Sequence, residues 1–287
     1  MLFSKSHLSS FFLLLLLSLQ SLNAQIVCNS DDKIRIEEIL STIKESDLDG
    51  KDVSDQVIFL GKLFLGTPYV AHTLEIAEDE PLVINLHGLD CTTFLENVTA
   101  FYLLEDPQGA DWQDFTASLN HLRYRDGDRE GYPARLHYFS EWLQNNEAKG
   151  ILKNMTKELG GKPYEKELDF ITTHRGSYRQ LQNDAYFEEM KVLESAFNES
   201  KSLYMLPEES LREKEALIQD GDLLAITTTI KGLDVVHTGL AIHVNDRLHL
   251  LHASSVSCEV EVSEKPLLDM LLASKSRHGI MVARLQP

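Results

Sequence analysis

The sequence predicts an α+β fold: helices through the first two-thirds, then an antiparallel sheet. Three observations predict it. Apolar residues recur at spacings of three and four in the early segments, as in Ile36, Leu40 and Ile43. From residue 223 onward the pattern shortens to alternation or to β-branched runs. The helical and strand-like patterns are segregated along the chain, which favours an antiparallel sheet over a parallel one.

The elements follow in order. Residues 32–45 read as a helix on the Ile36, Leu40, Ile43 stripe. Val57, Leu60, Leu63 and Phe64 make a second stripe, broken by Gly66-Thr67-Pro68-Tyr69. A third helix runs over 91–104, where Phe94, Leu95, Val98, Phe101 and Tyr102 share one face before Asp106-Pro107. Further helices are expected over 112–122, 136–146, 184–198 and 207–218. Gln219-Asp220-Gly221-Asp222 is a turn into a strand over 223–229, followed by strands over 235–244, 248–253 and 279–285. The chain reads as one domain over 25–287, with N-terminal helices and a helical insertion around 105–218.

Residues 1–24 read as a secretory signal peptide. Lys5 supplies the positive start, Phe11 to Leu17 the apolar run, and Ala24 a small residue before the cleavage point. The run is shorter than the roughly 20 residues of a membrane span. The mature protein is therefore expected to be exported, in the periplasm or outside the cell, without stable membrane insertion. A net charge of −18 disfavours nucleic acid as a partner. Anionic small substrates would need a local arginine cluster; Arg123, Arg125, Arg129 and Arg135 supply a candidate. No CxxC or HExxH pair is present, so no metal is expected.

Three cysteines, Cys28, Cys91 and Cys258, are an odd number for an exported protein and leave a candidate reactive thiol. Cys28 and Cys258 could pair; the sequence does not establish it. Cys91 stands in His87-Gly88-Leu89-Asp90-Cys91-Thr92-Thr93-Phe94, at the predicted start of a helix capped by Asp90. The unpaired N–H groups there favour a thiolate. Burial beneath Phe94 and Leu95 is the competing reading.

A base must come from elsewhere in the chain. Asn245-Asp246 between two strand-like runs predicts a two-residue hairpin loop. Val244 then faces Arg247, and counting back sets Gly239 opposite His252. Alternation puts His237 and His252 on one face, diagonal to each other, with no Gly239 side chain between them. His249 falls on the other face. His237 is the candidate base for Cys91, and His252 the group that orients its ring.

These pieces, Gly66-Thr67-Pro68-Tyr69, Asp90-Cys91, Gly221-Asp222-Leu223, His237-Thr238-Gly239-Leu240 and Leu251-His252-Ala253-Ser254, resemble in kind and order the NlpC/P60 superfamily of cell-wall cysteine hydrolases. The resemblance implies a papain-like core, a helix bearing the nucleophile packed on an antiparallel sheet. It assigns Cys91 as nucleophile, His237 as base, His252 as third member and Tyr69 as a neighbour positioning the thiol or the oxyanion. Asp90-Cys91-Thr92-Thr93 departs from the Asp-Cys-Ser-Gly pattern, and the long insertion departs from the simpler endopeptidases. Those departures look like an N-acetylmuramoyl-L-alanine amidase-like branch, similar over roughly residues 50–285. It implies hydrolysis of the N-acetylmuramoyl-L-alanine amide of (anhydro-)muropeptides through a thioester, without a cofactor. Asp90, Arg135, His137 and Tyr138 are then the candidate substrate-binding residues. A D-glutamyl-diamino-acid endopeptidase would use the same triad, and a non-catalytic glycan-binding protein could keep the same fold.

Overall fold

In the computed structural model, residues 26–287 are described, apart from 47, 49 and 201. The predicted signal peptide lies outside the described residues.

The first helices match their stripes. Helix α1 (Ser30–Glu45) begins at an Asn29 cap, whose side chain accepts from the Asp32 N–H at 2.7 Å. Helix α2 (Val53–Lys62) follows, then α3 (Cys91–Tyr102) and α4 (Trp112–Arg123). Helices α5 (Phe139–Ala148), α6 (Asp184–Ser200), α7 (Glu208–Lys214) and α8 (Leu267–Leu272) complete the main helical set.

The sheet strands are β1 (Leu152–Asn154), β2 (Lys162–Pro163), β3 (Tyr204–Pro207), β4 (Leu223–Thr228), β5 (Val235–Val244), β6 (Arg247–Ser254), β7 (Glu259–Val262) and β8 (Arg277–Leu285). They pair antiparallel in the order β2-β3-β8-β4-β5-β6-β7, with β1 also on β8. The insertion is therefore not purely helical, because β1, β2 and β3 all lie within it. The short strands escape sequence reading because two to four residues carry no measurable period.

The sheet is buried on both faces, and its alternating side chains divide two cores. Leu223, Ala225, Leu240, Ile242 and Leu251 meet α1–α4, where Leu40, Leu60, Phe94, Val98 and Phe115 pack. Leu224, Ile226, Ala241, Leu248 and Leu250 meet α7 and α8 through Leu211, Leu267 and Leu271. A third core, with Tyr132, Tyr138, Ile171, Leu181, Met190 and Phe197, sits within the insertion. Among the described residues, no helix is long and apolar enough to cross a membrane.

The β5–β6 hairpin closes through Asn245 and Asp246, at φ 50° and 61°, with Val244 opposite Arg247. Both left-handed residues are what a two-residue turn matched to strand twist requires. Behind the sheet entry, Asp222 accepts two bonds from Arg284, at 2.8 and 2.9 Å, tying the start of β4 to β8.

Candidate active site

Helix α3 starts at Cys91 because Asp90 stops it there. The Asp90 carboxylate accepts from the Thr93 N–H at 2.8 Å, and the Asp90 N–H donates to the Thr93 hydroxyl at 2.9 Å. This reciprocal box satisfies two backbone groups at the helix entry. Upstream, residues 68–70 run beside Leu89: Val70 N–H donates to the Leu89 carbonyl at 3.0 Å, and Leu89 N–H to the Pro68 carbonyl at 3.0 Å. Gly88 is required there, since a Cβ would lie 2.8 Å from the Val70 side chain. That pairing brings the Tyr69 phenol within the electrostatic reach of Cys91 and Asp90, and burial with those two groups pushes its pKa up. Tyr69 is thus a neutral O–H donor beside the thiol.

Cys91 is half-buried. Its thiol lies beside Thr92 and Thr238. Burial first, and then the Asp90 carboxylate, push the thiol above its usual pKa. Polar groups of Thr238 and Thr92 draw it back, but burial and Asp90 outweigh them.

His237 and His252 are joined directly. The Nε2 of His237 and the Nδ1 of His252 lie 2.6 Å apart, with ring centroids 4.8 Å apart and the rings nearly perpendicular. The register explains the pair. Leu240 faces Leu251, so Gly239 comes opposite His252, and a Cβ on Gly239 would lie 2.9 Å from that of His252. Burial pulls His237 down to about 3, with His252 and Arg277 adding to it. Burial also lowers His252, to about 4; Glu261 opposes this and Arg277 reinforces it. Both rings are neutral at physiological pH.

The two halves meet at Thr238. By alternation the imidazoles share the face of Ala241 and Leu250, toward α8, whereas α3 packs on the opposite face. The Cys91 thiol lies beside Thr238, the strand residue following His237. The paired register of β5 and β6 runs from Leu240 and Leu251 to the turn, so Thr238 precedes it. The thiol is flanked by Thr238 and Thr92, while His237 is bonded to His252. Thr238 was not singled out by sequence reasoning, although it lies inside the His237-Thr238-Gly239 motif. A cavity of about 350 Å³ opens beside the histidines, lined in part by Glu261, Lys265, Met270 and Arg277.

The expected substrate-binding residues behave differently. Asp90 caps α3 and borders the thiol, as above. Arg135 is 5 % exposed, paired with Glu75 and 3.4 Å from Glu80, and lies over the Tyr132 ring. Its guanidinium is committed to internal carboxylates rather than open to a ligand. Tyr138 is a core residue, whose hydroxyl donates to Glu194 at 2.7 Å and accepts from the Ile171 N–H at 3.1 Å. His137 donates through Nε2 to the Tyr132 carbonyl at 2.9 Å, and burial pulls its pKa well below the usual range. His137 and Tyr138 hold the insertion together, and Arg135 ties it to the segment carrying Glu75 and Glu80. Arg123, expected as part of an arginine cluster for anionic substrates, is also buried, bonded to Glu96 at 2.7 Å and to the Val83 carbonyl at 2.6 Å. Trp142 is fully buried, and Cys28 and Cys258 are both free.

Residues 59–280 match the family described as N-acetylmuramoyl-L-alanine amidase-like, the AmiA-like family. The chain belongs to this amidase-like family. Among solved structures, an N-acetylmuramoyl-L-alanine amidase from Bacteroides uniformis is 36% identical, with a TM-score of 0.78; the match covers 82% of this chain and 99% of that one. A Bacteroides fragilis protein titled a xylanase is 38% identical, with a TM-score of 0.75, covering 79% of this chain and 100% of that one. A Legionella pneumophila protein of the DUF1460 family shares the fold at 21% identity, with a TM-score of 0.67 over 89% of this chain and 97% of that one. A comparison with curated proteins finds no match. The family match corrects the NlpC/P60 assignment suggested by the motifs: the amidase-like family is a distinct one. The short motifs could not separate the two, because each holds no more than a few residues of general chemical use. Membership in the amidase-like family supports an amidase-type function on cell-wall material.

Proposed function

We propose that the protein is an exported cysteine amidase that cleaves the amide between N-acetylmuramic acid and L-alanine in muropeptides. The observation that carries this reading is the pairing of His237 with His252 at 2.6 Å, one residue from the Thr238 that borders the Cys91 thiol. The helix-borne thiol against an antiparallel sheet also favours a papain-like core. The predicted leader over 1–24 supports export to the periplasm or beyond.

The chemistry is acyl transfer. His237 takes the thiol proton as Cys91 attacks the lactyl carbonyl carbon, forming a C–S bond and a tetrahedral oxyanion. The Cys91 N–H at the start of α3 and the Tyr69 hydroxyl are the donors available to that oxygen. The C–N bond then breaks, and the imidazolium returns its proton to the alanine nitrogen as it leaves. Water, deprotonated by His237, attacks the thioester, and the thiolate leaves and is reprotonated. His252 holds the His237 ring throughout.

The test is mass spectrometry of the products from one defined muropeptide, with wild type and Cys91→Ala in parallel. The expected result is an intact stem peptide beginning with free L-alanine from wild type and none from the variant. Release of an L-Ala-D-Glu dipeptide would instead identify an endopeptidase. Equal turnover by Cys91→Ala would remove the nucleophile assignment, and no turnover by either protein would favour glycan binding without catalysis.

A further inference from the structure

The bond between His237 and His252 raises a question of tautomers. Two neutral rings 2.6 Å apart need one donor and one acceptor. In the first arrangement His237 donates from Nε2, its Nδ1 is bare, and His252 carries its proton on Nε2. In the second His252 donates from Nδ1, its Nε2 is bare, and His237 carries its proton on Nδ1. The first leaves His237 able to accept a proton; the second blocks it. Something must select between them.

The selecting group stands on β7. His252 pairs with Glu261 across the β6–β7 ladder, and the His252 Nε2 lies 3.9 Å from a Glu261 carboxylate oxygen. His252 Nε2 is buried and has no hydrogen-bond partner at that distance. The Glu261 side chain is 31% exposed, which leaves it room to rotate the remaining distance. A carboxylate there attracts an N–H and repels a bare ring nitrogen, so it favours the first arrangement. Resting catalytic bonds are often long and tighten when substrate binds.

We infer that Glu261 is a positioning residue: its carboxylate holds the proton of His252 on Nε2, which leaves His237 Nδ1 bare to act as the base. The inference rests on the proposed role of His237. The other charged groups lining the cavity are Arg277 from β8 and Glu264 and Lys265 from the loop after β7. Arg277 disfavours a positive charge on either ring, so Glu261 acts by choosing where the neutral proton sits, not by charging His252.

The experiment uses the full mature chain with wild type, Glu261→Ala and Glu261→Gln. Turnover of a defined muropeptide is measured alongside nitrogen-15 NMR of the histidine rings. Loss of the partner behind a metal-ligating imidazole typically costs about 10- to 100-fold, and an orienting partner of a catalytic imidazole is taken on the same scale. The expected result is therefore a kcat lower by about that factor in Glu261→Ala with KM nearly unchanged. Glu261→Gln keeps an oxygen acceptor and should recover much of the loss. NMR should show His252 protonated at Nε2 in wild type and a shift toward the Nδ1–H form in Glu261→Ala. Wild-type kcat in Glu261→Ala, or an Nδ1–H His252 in wild type, would overturn the inference. The ring tautomers are read without turnover, so failure of the amidase reading itself, seen in Cys91→Ala, is distinguishable from failure of this one.

Discussion

At the scale of the residue, the site rests in its neutral form. The Cys91 thiol is pushed up by burial and by Asp90, while burial pulls His237 down. A proton on sulfur is therefore favoured over a proton on the imidazole before substrate arrives. The transfer must accompany attack rather than precede it. Such a thiol reacts with iodoacetamide only through its small thiolate fraction. The alkylation rate of Cys91 should accordingly rise about tenfold per pH unit from pH 6 to 8.5, as expected below a single raised pKa. Cys28→Ser and Cys258→Ser remove the other thiols so that one site is read. A plateau already reached near pH 7 would mean a preformed thiolate–imidazolium pair and would sink this account.

At the scale of the element, α3 is held to α4 by a buried ion pair as well as by apolar packing. Arg123 on α4 bonds Glu96 on α3, with both side chains under 5% exposed. Burial and the competing Asp90 field raise the Glu96 carboxyl, while Arg123 draws it back. Removing one member of a buried pair strands a charge and typically costs about 3–5 kcal/mol, whereas replacing both with apolar side chains is often close to neutral. Arg123→Met should thus lower stability by about 3 kcal/mol in urea unfolding. Glu96→Leu combined with Arg123→Met should recover most of that. An additive double variant would show that the pair does not clasp the two helices. This clasp was not legible in the sequence, because Arg123 sits in a charged run that reads as solvated. Its partner becomes visible when α3 and α4 are laid side by side. The β5–β6 hairpin was legible for the opposite reason: a two-residue turn sets the register of every residue before it, so Gly239 and His252 could be matched by counting. Arg135, His137 and Tyr138 were placed in the cleft by residue type, yet Tyr138 and His137 bond within the insertion and Arg135 ties it to Glu75 and Glu80. Residue type says what chemistry is available, and packing decides whether it faces solvent.

At the scale of the whole molecule, the buried histidines and buried carboxylates oppose each other as pH falls. His237 has a folded pKa of about 3, below its unfolded value of about 6.5. Below pH 6.5 the unfolded chain binds a proton there that the folded chain does not, so this contribution to stability is complete above 6.5 and is lost progressively toward pH 3. Glu80, Glu96, Glu141 and Asp234 run the other way. Burial raises all four, so their contribution is complete below the unfolded carboxyl range and is lost as pH rises through their folded values. A bare melting curve against pH would mix the two, so the histidine must be isolated by difference. Asn in place of His237 keeps a hydrogen-bonding side chain but cannot titrate. The stability of wild type minus that of His237→Asn should stay level from pH 8 to 7, then fall by up to about 1.4 kcal/mol per pH unit below 6. The carboxylate contribution cancels in that difference as long as the variant keeps the fold. A difference that stays level down to pH 5 would mean that His237 takes a proton in the folded protein. The neutral base on which the proposed proton transfer depends would then be lost in that pH range.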